Sequence, residues 1–174
     1  MIKIDFLFEL KDGIVEASKM PFKVLVVKPF INGKKLSYNG TIFNPAPFIA
    51  LMKSKEGSSY VLNCPCGEPG CVGIEQPFTI SVDGNNIKLS TPVEEFSEVI
   101  ISKKYGTTLI NELSEKIISI SKENTVPVVL QEDEYGIIFE DEIKDYDISL
   151  TFKEKIKEYE ISIKEELEYE TKRA

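Results

Sequence analysis

The chain has 174 residues, of which 42% are hydrophobic and 29% charged, a balance that suits one globular domain and excludes global disorder. It has 21 basic and 29 acidic residues and no histidine, which gives a formal net charge of −8 at pH 7. That charge disfavours direct binding to nucleic acid, because the phosphate backbone is also negative.

The N-terminal third predicts strands and one short helix. Apolar and mostly polar residues alternate over residues 2–10, which predicts a strand. Residues 22–31 are apolar on both faces and predict a buried strand that ends near Pro29. Asn44 followed by Pro45 predicts a helix start, with the asparagine side chain as the cap.

All three cysteines lie in one nine-residue stretch that also holds two glycines and two prolines: Asn63-Cys64-Pro65-Cys66-Gly67-Glu68-Pro69-Gly70-Cys71. We interpret residues 63–73 as a tight turn between two β segments. Proline stiffens such a turn, and glycine allows positive φ or close packing. The simplest interpretation is that the cysteines are small buried side chains in a compact loop.

Metal binding and redox chemistry are the alternatives for this turn. A structural zinc site needs four ligands, and Cys64, Cys66 and Cys71 supply three thiolates. Without histidine, the fourth ligand would be a cysteine of another copy, a water or a carboxylate, of which Glu68 and Glu75 are nearest. A disulfide from Cys71 to either other cysteine is the redox alternative.

The turn also resembles one found in small uncharacterised bacterial α+β proteins, whose pattern is Cys-x-Cys-Gly-x-x-Gly-Cys. The matching positions here are Cys64, Cys66, Gly67, Gly70 and Cys71. Outside the turn the resemblance extends loosely over residues 1–120. It implies a related fold and no particular function.

The rest of the chain predicts a hairpin and two further helices. Alternation on both sides of residues 83–86 predicts a β-hairpin. Apolar residues on one stripe predict a helix over residues 105–122, and the same pattern predicts a long amphipathic helix over residues 151–173. On the latter, Glu160 and Lys164 are spaced for an ion pair. Shorter strands are expected over residues 96–102, 126–130 and 137–139.

These elements predict an α+β fold, with a mainly antiparallel sheet and two to three helices including the long C-terminal one. We expect a single domain over residues 1–150. Residues 151–174 would form the C-terminal helix, packed on that domain or on a partner. The sequence leaves the oligomeric state open.

An acidic segment follows the last predicted sheet strands. From Glu132 to Asp147 there are eight acidic residues and one lysine, a charge of −7 that leaves −1 for the rest of the chain. Its acidic residues are Glu132, Asp133, Glu134, Glu140, Asp141, Glu142, Asp145 and Asp147. We expect this segment to be a recognition face for a basic partner protein, although a solvated surface that aids solubility has the same composition.

Enzymatic activity is not expected. The sequence has no glycine-rich phosphate loop, dinucleotide fingerprint or nucleophile elbow, and it lacks histidine, the commonest general base. The favoured function is a non-enzymatic binding protein without a cofactor, of the immunity or antitoxin kind. A metal- or redox-responsive module centred on the cysteine turn is the alternative, and an enzyme with a cysteine nucleophile comes third.

No segment predicts membrane insertion or export. The longest weakly charged run, residues 41–52, is broken by two prolines and falls short of the ~18 apolar residues of a membrane span. Charges interrupt the N-terminal apolar pattern, unlike a signal peptide, and an odd number of cysteines does not suit a secreted disulfide framework. We therefore expect a cytoplasmic protein with no membrane contact.

Overall fold

A computed structural model describes residues 2–13, 20–38, 40–66, 76–136 and 143–173. Within these ranges the chain has the predicted α+β fold, with mainly antiparallel sheets and a long C-terminal helix. The strands are β1 (Ile4–Asp12), β2 (Lys23–Ile31), β3 (Lys34–Lys35), β4 (Ile42–Phe43), β5 (Glu56–Ser59), β6 (Leu62–Asn63), β7 (Phe78–Asp83), β8 (Asn86–Ser90), β9 (Glu98–Ser102) and β10 (Val128–Leu130). The helices are α1 (Pro45–Lys53), α2 (Lys103–Glu123) and α3 (Ile148–Arg173), with 3₁₀ turns at Glu94–Phe96 and Gln131–Gly136.

The first sheet is built around β2. Strand β1 pairs antiparallel with all nine residues of β2, while β10 and β3 pair with the two ends of its other edge. Side chains on both faces of β2 are buried, Val24 on one side and Leu25 on the other, which confirms the buried strand predicted there. Strand β10 is the parallel neighbour and is shorter than the predicted segment 126–130.

The second sheet has the order β5-β7-β8-β9, and every pairing in it is antiparallel. The predicted hairpin is confirmed, because Asp83 pairs with Asn86 across the turn that joins β7 and β8. The strand expected from residue 96 begins only at Glu98, since a 3₁₀ turn occupies Glu94–Phe96. The strand expected over residues 137–139 lies outside the described residues.

Helix α1 is buried along almost its whole length, from Pro45 to Met52, and it packs against α2, α3 and β5. The helix begins where the sequence predicted. The expected cap is wrong, however, because the Asn44 side chain makes no capping hydrogen bond. Its backbone N–H instead donates to the Val61 carbonyl at 2.9 Å, which ties the helix start to the segment before β6.

Helix α3 packs mainly against α1 and β5, with smaller contacts to α2 and β10. Phe152, Ile156 and Ile163 are buried along this contact, whereas residues 168–173 are exposed. The expected ion pair with Lys164 does not form: Glu160 Oε1 lies 3.1 Å from Lys53 Nζ on α1. None of the described helices combines the length and the apolar character needed to span a membrane.

Candidate functional site

The first acidic residues of the predicted recognition face point towards the interior of the protein. Asp133 lies in the 3₁₀ turn after β10, and its side chain is only 11% exposed. One of its carboxylate oxygens accepts a hydrogen bond from Lys155 Nζ, and the other accepts one from the Tyr146 hydroxyl at 2.7 Å. Glu134 is 7% exposed and lies 4.0 Å from Lys11 Nζ. These contacts anchor the turn to α3 and β1.

Glu132 completes this polar cluster. Burial raises the pKa of its carboxyl, and the nearby Lys155 ammonium opposes that shift. Burial also raises the pKa of the Tyr146 and Tyr159 hydroxyls, and the Glu132 charge adds to both shifts. One buried carboxylate oxygen of Glu132 and one of Glu134 have no hydrogen-bond partner among the described residues. Burial therefore disfavours the charged form of Glu132, which limits the value of the cluster as a charged contact surface.

The later acidic residues have different roles. Asp147 caps α3: its Oδ1 accepts hydrogen bonds from the backbone N–H groups of Ser149 at 2.9 Å and Leu150 at 3.4 Å. Asp145 is exposed. Glu140, Asp141 and Glu142 lie outside the described residues. The part of the segment that the structure describes thus offers Asp145 and Asp147 to solvent and turns three acids inward.

The cysteine turn is described only at its start. Cys64 follows β6 and is half-buried, and Cys66 is exposed. Cys71 and the two candidate carboxylate ligands, Glu68 and Glu75, lie outside the described residues. In the described ranges no group of three or more cysteine and acidic side chains is placed to hold a metal ion. The metal, redox and family interpretations of this turn stay predictions.

A groove between α3 and the second sheet carries acidic side chains that the sequence analysis did not single out. It has a volume of about 430 Å³, and we call it the acidic groove. Its residues come from β5, β7, the segments beside them and the end of α3: Glu56, Gly57, Ser58, Tyr60, Pro77, Thr79, Ile80, Ile163, Glu166, Leu167 and Glu170. Apolar side chains of both elements therefore lie beside three carboxylates.

A close approach of helix to strand forms the acidic groove. Gly57 has φ +142°, and a Cβ built there would lie 2.5 Å from Ile163 Cγ2. Only glycine therefore lets α3 lie this close to β5 without a shift. The Ser58 hydroxyl donates to Glu166 Oε2 at 3.3 Å across the same contact.

Within the described ranges, no lysine or arginine neutralises the carboxylates of the acidic groove. None of Glu56, Glu166 and Glu170 forms a salt bridge with a residue that the structure describes. By contrast, Glu160, one to two turns earlier on α3, is paired with Lys53. Three carboxylates that have no ion pair with a described residue, beside apolar side chains, suit a cationic group with an aliphatic stem.

Sequence reasoning missed this groove because Glu56 and Glu166 are far apart in the chain and meet only through the docking of α3. The usable signal was the acidic end of that helix, with Glu165, Glu166, Glu168 and Glu170 close together.

Comparison with models of protein families, with curated proteins and with solved structures found no significant match. Any inference about the function of this chain therefore rests on the chemistry of its own residues.

Proposed function

We propose that this chain is a non-enzymatic binding protein that recognises a basic protein through acidic surfaces, within the cytoplasm. The observation that carries the proposal is the acidic groove, where Glu56, Glu166 and Glu170 have no cationic partner among the described residues. The exposed Asp145 and the acidic residues 140–142 would extend recognition towards the segment identified from sequence.

The chemistry of the groove suits a lysine or arginine side chain of the partner. The aliphatic stem would contact Ile163 and Leu167, which line the groove, while the charged head would bind the carboxylates. Arginine fits best where two carboxylate oxygens accept its paired N–H groups. Opposite charge would also speed the encounter of the two proteins, and added salt would slow it.

Inhibition of the immunity or antitoxin kind is the specific form of this proposal. Proteins that handle nucleic acid carry basic sites, and an acidic protein can cover such a site by mimicking the charge of the phosphate backbone. The chain's net charge of −8 and its lack of histidine favour this role over catalysis. The proposal includes no cofactor and no catalytic residue.

Affinity capture from the source organism tests the proposal. The bait is the full chain in three versions: wild type, the groove variant Glu56→Gln/Glu166→Gln/Glu170→Gln, and the matched control Glu94→Gln/Glu115→Gln/Glu154→Gln. The control residues are exposed, lie outside the groove and form no salt bridge in the described ranges. We expect wild type and control to capture the same basic protein, and we expect the groove variant to capture at least about tenfold less of it.

A fourth bait, Glu140→Lys/Asp141→Lys, separates the two acidic surfaces. If this bait alone fails to capture the basic protein, recognition belongs to the acidic segment Glu132 to Asp147 and the groove is removed from the proposal. Failure of the wild-type chain to retain any basic protein, or equal retention by all four baits, would contradict acidic recognition altogether.

A further inference from the structure

One row of backbone groups on β1 is not paired with any other strand in the part of the chain that the structure describes. The Asn32 N–H donates to the Lys3 carbonyl at 2.8 Å, and the Gly13 N–H donates to the Phe22 carbonyl at 3.2 Å. Because bonded positions alternate along an antiparallel ladder, the odd-numbered residues of β1 bond to β2. The even-numbered residues therefore direct their N–H and C=O groups towards the open edge of the sheet.

Tyr105 closes this edge at one end. Its hydroxyl accepts a hydrogen bond from the Ile4 N–H at 2.7 Å and donates one to the Ile4 carbonyl at 3.1 Å. The outward groups of Phe6, Phe8 and Leu10 have no such partner among the described residues. Three consecutive open positions are enough to accept a short strand from another chain.

The edge lacks two of the features that prevent strand addition, a bulge and a proline, although it does carry charged side chains. Its pairing with β2 runs through nine residues without a bulge, and β1 contains no proline. Leu7 is 45% exposed and Leu10 is 41% exposed. Phe6 is held rigidly, because its ring lies 5.7 Å from that of Phe43 and 6.0 Å from that of Phe48.

A groove with both apolar and charged lining residues runs beside this edge. Phe6 and Phe8 line one side of it, and Leu109 and Leu113 of α2 line the other, around a volume of about 410 Å³. Even-numbered side chains of β1 point to the face that carries α2. The side chains of an added strand that point the same way would fill this groove.

We propose that two copies of this chain pair β1 with β1, antiparallel, about a two-fold axis at Phe8. Phe8 then lies opposite the partner's Phe8, and Phe6 lies opposite the partner's Leu10. The ladder ends at Ile4 of each copy, where the Tyr105 hydroxyl already occupies the edge. The interface is self-complementary, as two-fold pairing requires.

The charge pattern of β1 is complementary to a second copy in this register, and it disfavours the register with the axis at Leu7. With the axis at Phe8, Asp5 lies opposite the partner's Lys11. By symmetry, Lys11 lies opposite the partner's Asp5 at the other end of the strand pair. With the axis at Leu7, Asp5 would lie opposite the partner's Glu9 and Lys3 opposite the partner's Lys11, so both pairs would repel. Directly opposed charges of unlike sign stabilise a strand pair, and like charges destabilise it.

Both charged residues are available for such contacts. Lys11 Nζ lies 4.0 Å from the Glu134 carboxylate, and among the described residues Asp5 forms an ion pair only with Lys3, whose side chain is 73% exposed. The Asp5–Lys3 pair is exposed, so it is weak and is easily exchanged for a new partner, whereas Lys11 would reach the partner's Asp5 from its 4.0 Å contact with the buried Glu134 carboxylate.

A charge-swap experiment tests the dimer by sedimentation equilibrium. Asp5→Lys and Lys11→Asp each place like charges opposite each other at both ends, so each variant alone is expected to weaken the dimer at least about tenfold. In an equimolar mixture, the heterodimer has the new lysine of one variant opposite the new aspartate of the other, and a native Lys11 opposite a native Asp5, so it should form with wild-type affinity. The control variants Asp83→Lys and Lys157→Asp change exposed charges away from β1 and should dimerise like wild type.

A wild-type chain that stays monomeric up to ~1 mM, the range of the weakest specific association, would overturn the proposal. The proposal would also be overturned if each single variant dimerised as strongly as the wild type, or if a mixture of the two folded variants stayed monomeric. Hydrogen exchange on the wild type needs no variant: protection of the Phe8 and Leu10 amides should rise with protein concentration. Protection that is independent of concentration would assign the edge to another segment of the same chain and reject the second copy.

Discussion

Gly57 and Ile163 meet where α3 crosses β5, so closely that a Cβ on Gly57 would lie 2.5 Å from Ile163 Cγ2. Both residues line the acidic groove, and their contact sets how deeply the helix lies beside Glu56. The absence of one methyl group in β5 thus determines both the packing of the C-terminal helix and the shape of the proposed binding surface.

The substitution Gly57→Ala is expected to lower the free energy of unfolding by ~2 kcal/mol, because it combines a steric clash with a φ of +142° that alanine rarely adopts. Urea denaturation measures this loss. Gly84→Ala is the matched control, since Gly84 also has a positive φ but its added Cβ would meet no atom within 4 Å. Equal losses in the two variants would show that α3 is not tightly docked against β5.

The substitution Glu132→Gln is expected to stabilise the protein at neutral pH. Burial raises the pKa of Glu132, so the folded state binds its proton more tightly than the unfolded chain does. The free energy of unfolding of the wild type therefore falls as pH rises from the ordinary glutamate pKa to the raised pKa of Glu132. The total fall is about 1.4 kcal/mol for each pH unit by which burial raises that pKa. The variant lacks this titration, and its Lys155 neighbour keeps its bond to Asp133.

Urea denaturation at neutral and acidic pH checks this sign. The advantage of Glu132→Gln should shrink as pH falls through that window, whereas the exposed control Glu154→Gln should show no such trend. An advantage that is the same at both pH values, or a variant less stable at neutral pH, would contradict the assigned cause.

The substitution Asp147→Ala is expected to destabilise the protein by ~1 kcal/mol, because it removes the side chain that accepts from the first free N–H groups of α3. Thermal unfolding followed by circular dichroism measures the loss. Asp147→Asn should keep most of the stability, and Asp145→Ala, an exposed neighbour, should leave it unchanged. Equal effects of the two alanine variants would remove the capping role.

The purified protein is expected to contain no stoichiometric zinc and to titrate as three thiols. Cys66 should be alkylated faster than Cys64, because Cys66 is exposed and Cys64 is half-buried. Elemental analysis and a timed thiol assay measure both properties. About one zinc per chain with masked thiols would instead favour the metal-responsive alternative and its three-cysteine ligand set.

Local pattern predicted much of the fold. The alternation in β1, the hairpin around residues 83–86 and the stripe on α2 each have one face more buried than the other, and each was found where its period indicated. Helix α1 shows the limit of this reasoning. Other elements surround this helix, so nearly all of its residues are buried and the sequence shows no helical period of apolar residues. The predicted cap residue, Asn44, is hydrogen-bonded through its backbone to Val61, and its side chain does not cap the helix.

The surface chemistry was much less predictable from sequence. The acidic segment has the composition of an exposed face, but Asp133 and Glu134 are drawn inward by Lys155 and Lys11, lysines that are distant in sequence. The acidic groove depends on the approach of α3 to Gly57, which no local spacing encodes. Long-range docking therefore decides which of the many charges remain available to a partner.

The most direct test of basic-partner recognition is calorimetric titration of the captured basic protein into three versions of this chain at two salt concentrations. We expect wild type and the control Glu94→Gln/Glu115→Gln/Glu154→Gln to bind alike, with affinity that falls as salt rises. The groove variant Glu56→Gln/Glu166→Gln/Glu170→Gln should bind at least about tenfold more weakly and depend less on salt. Equal affinity and equal salt dependence in all three versions would contradict recognition through the acidic groove.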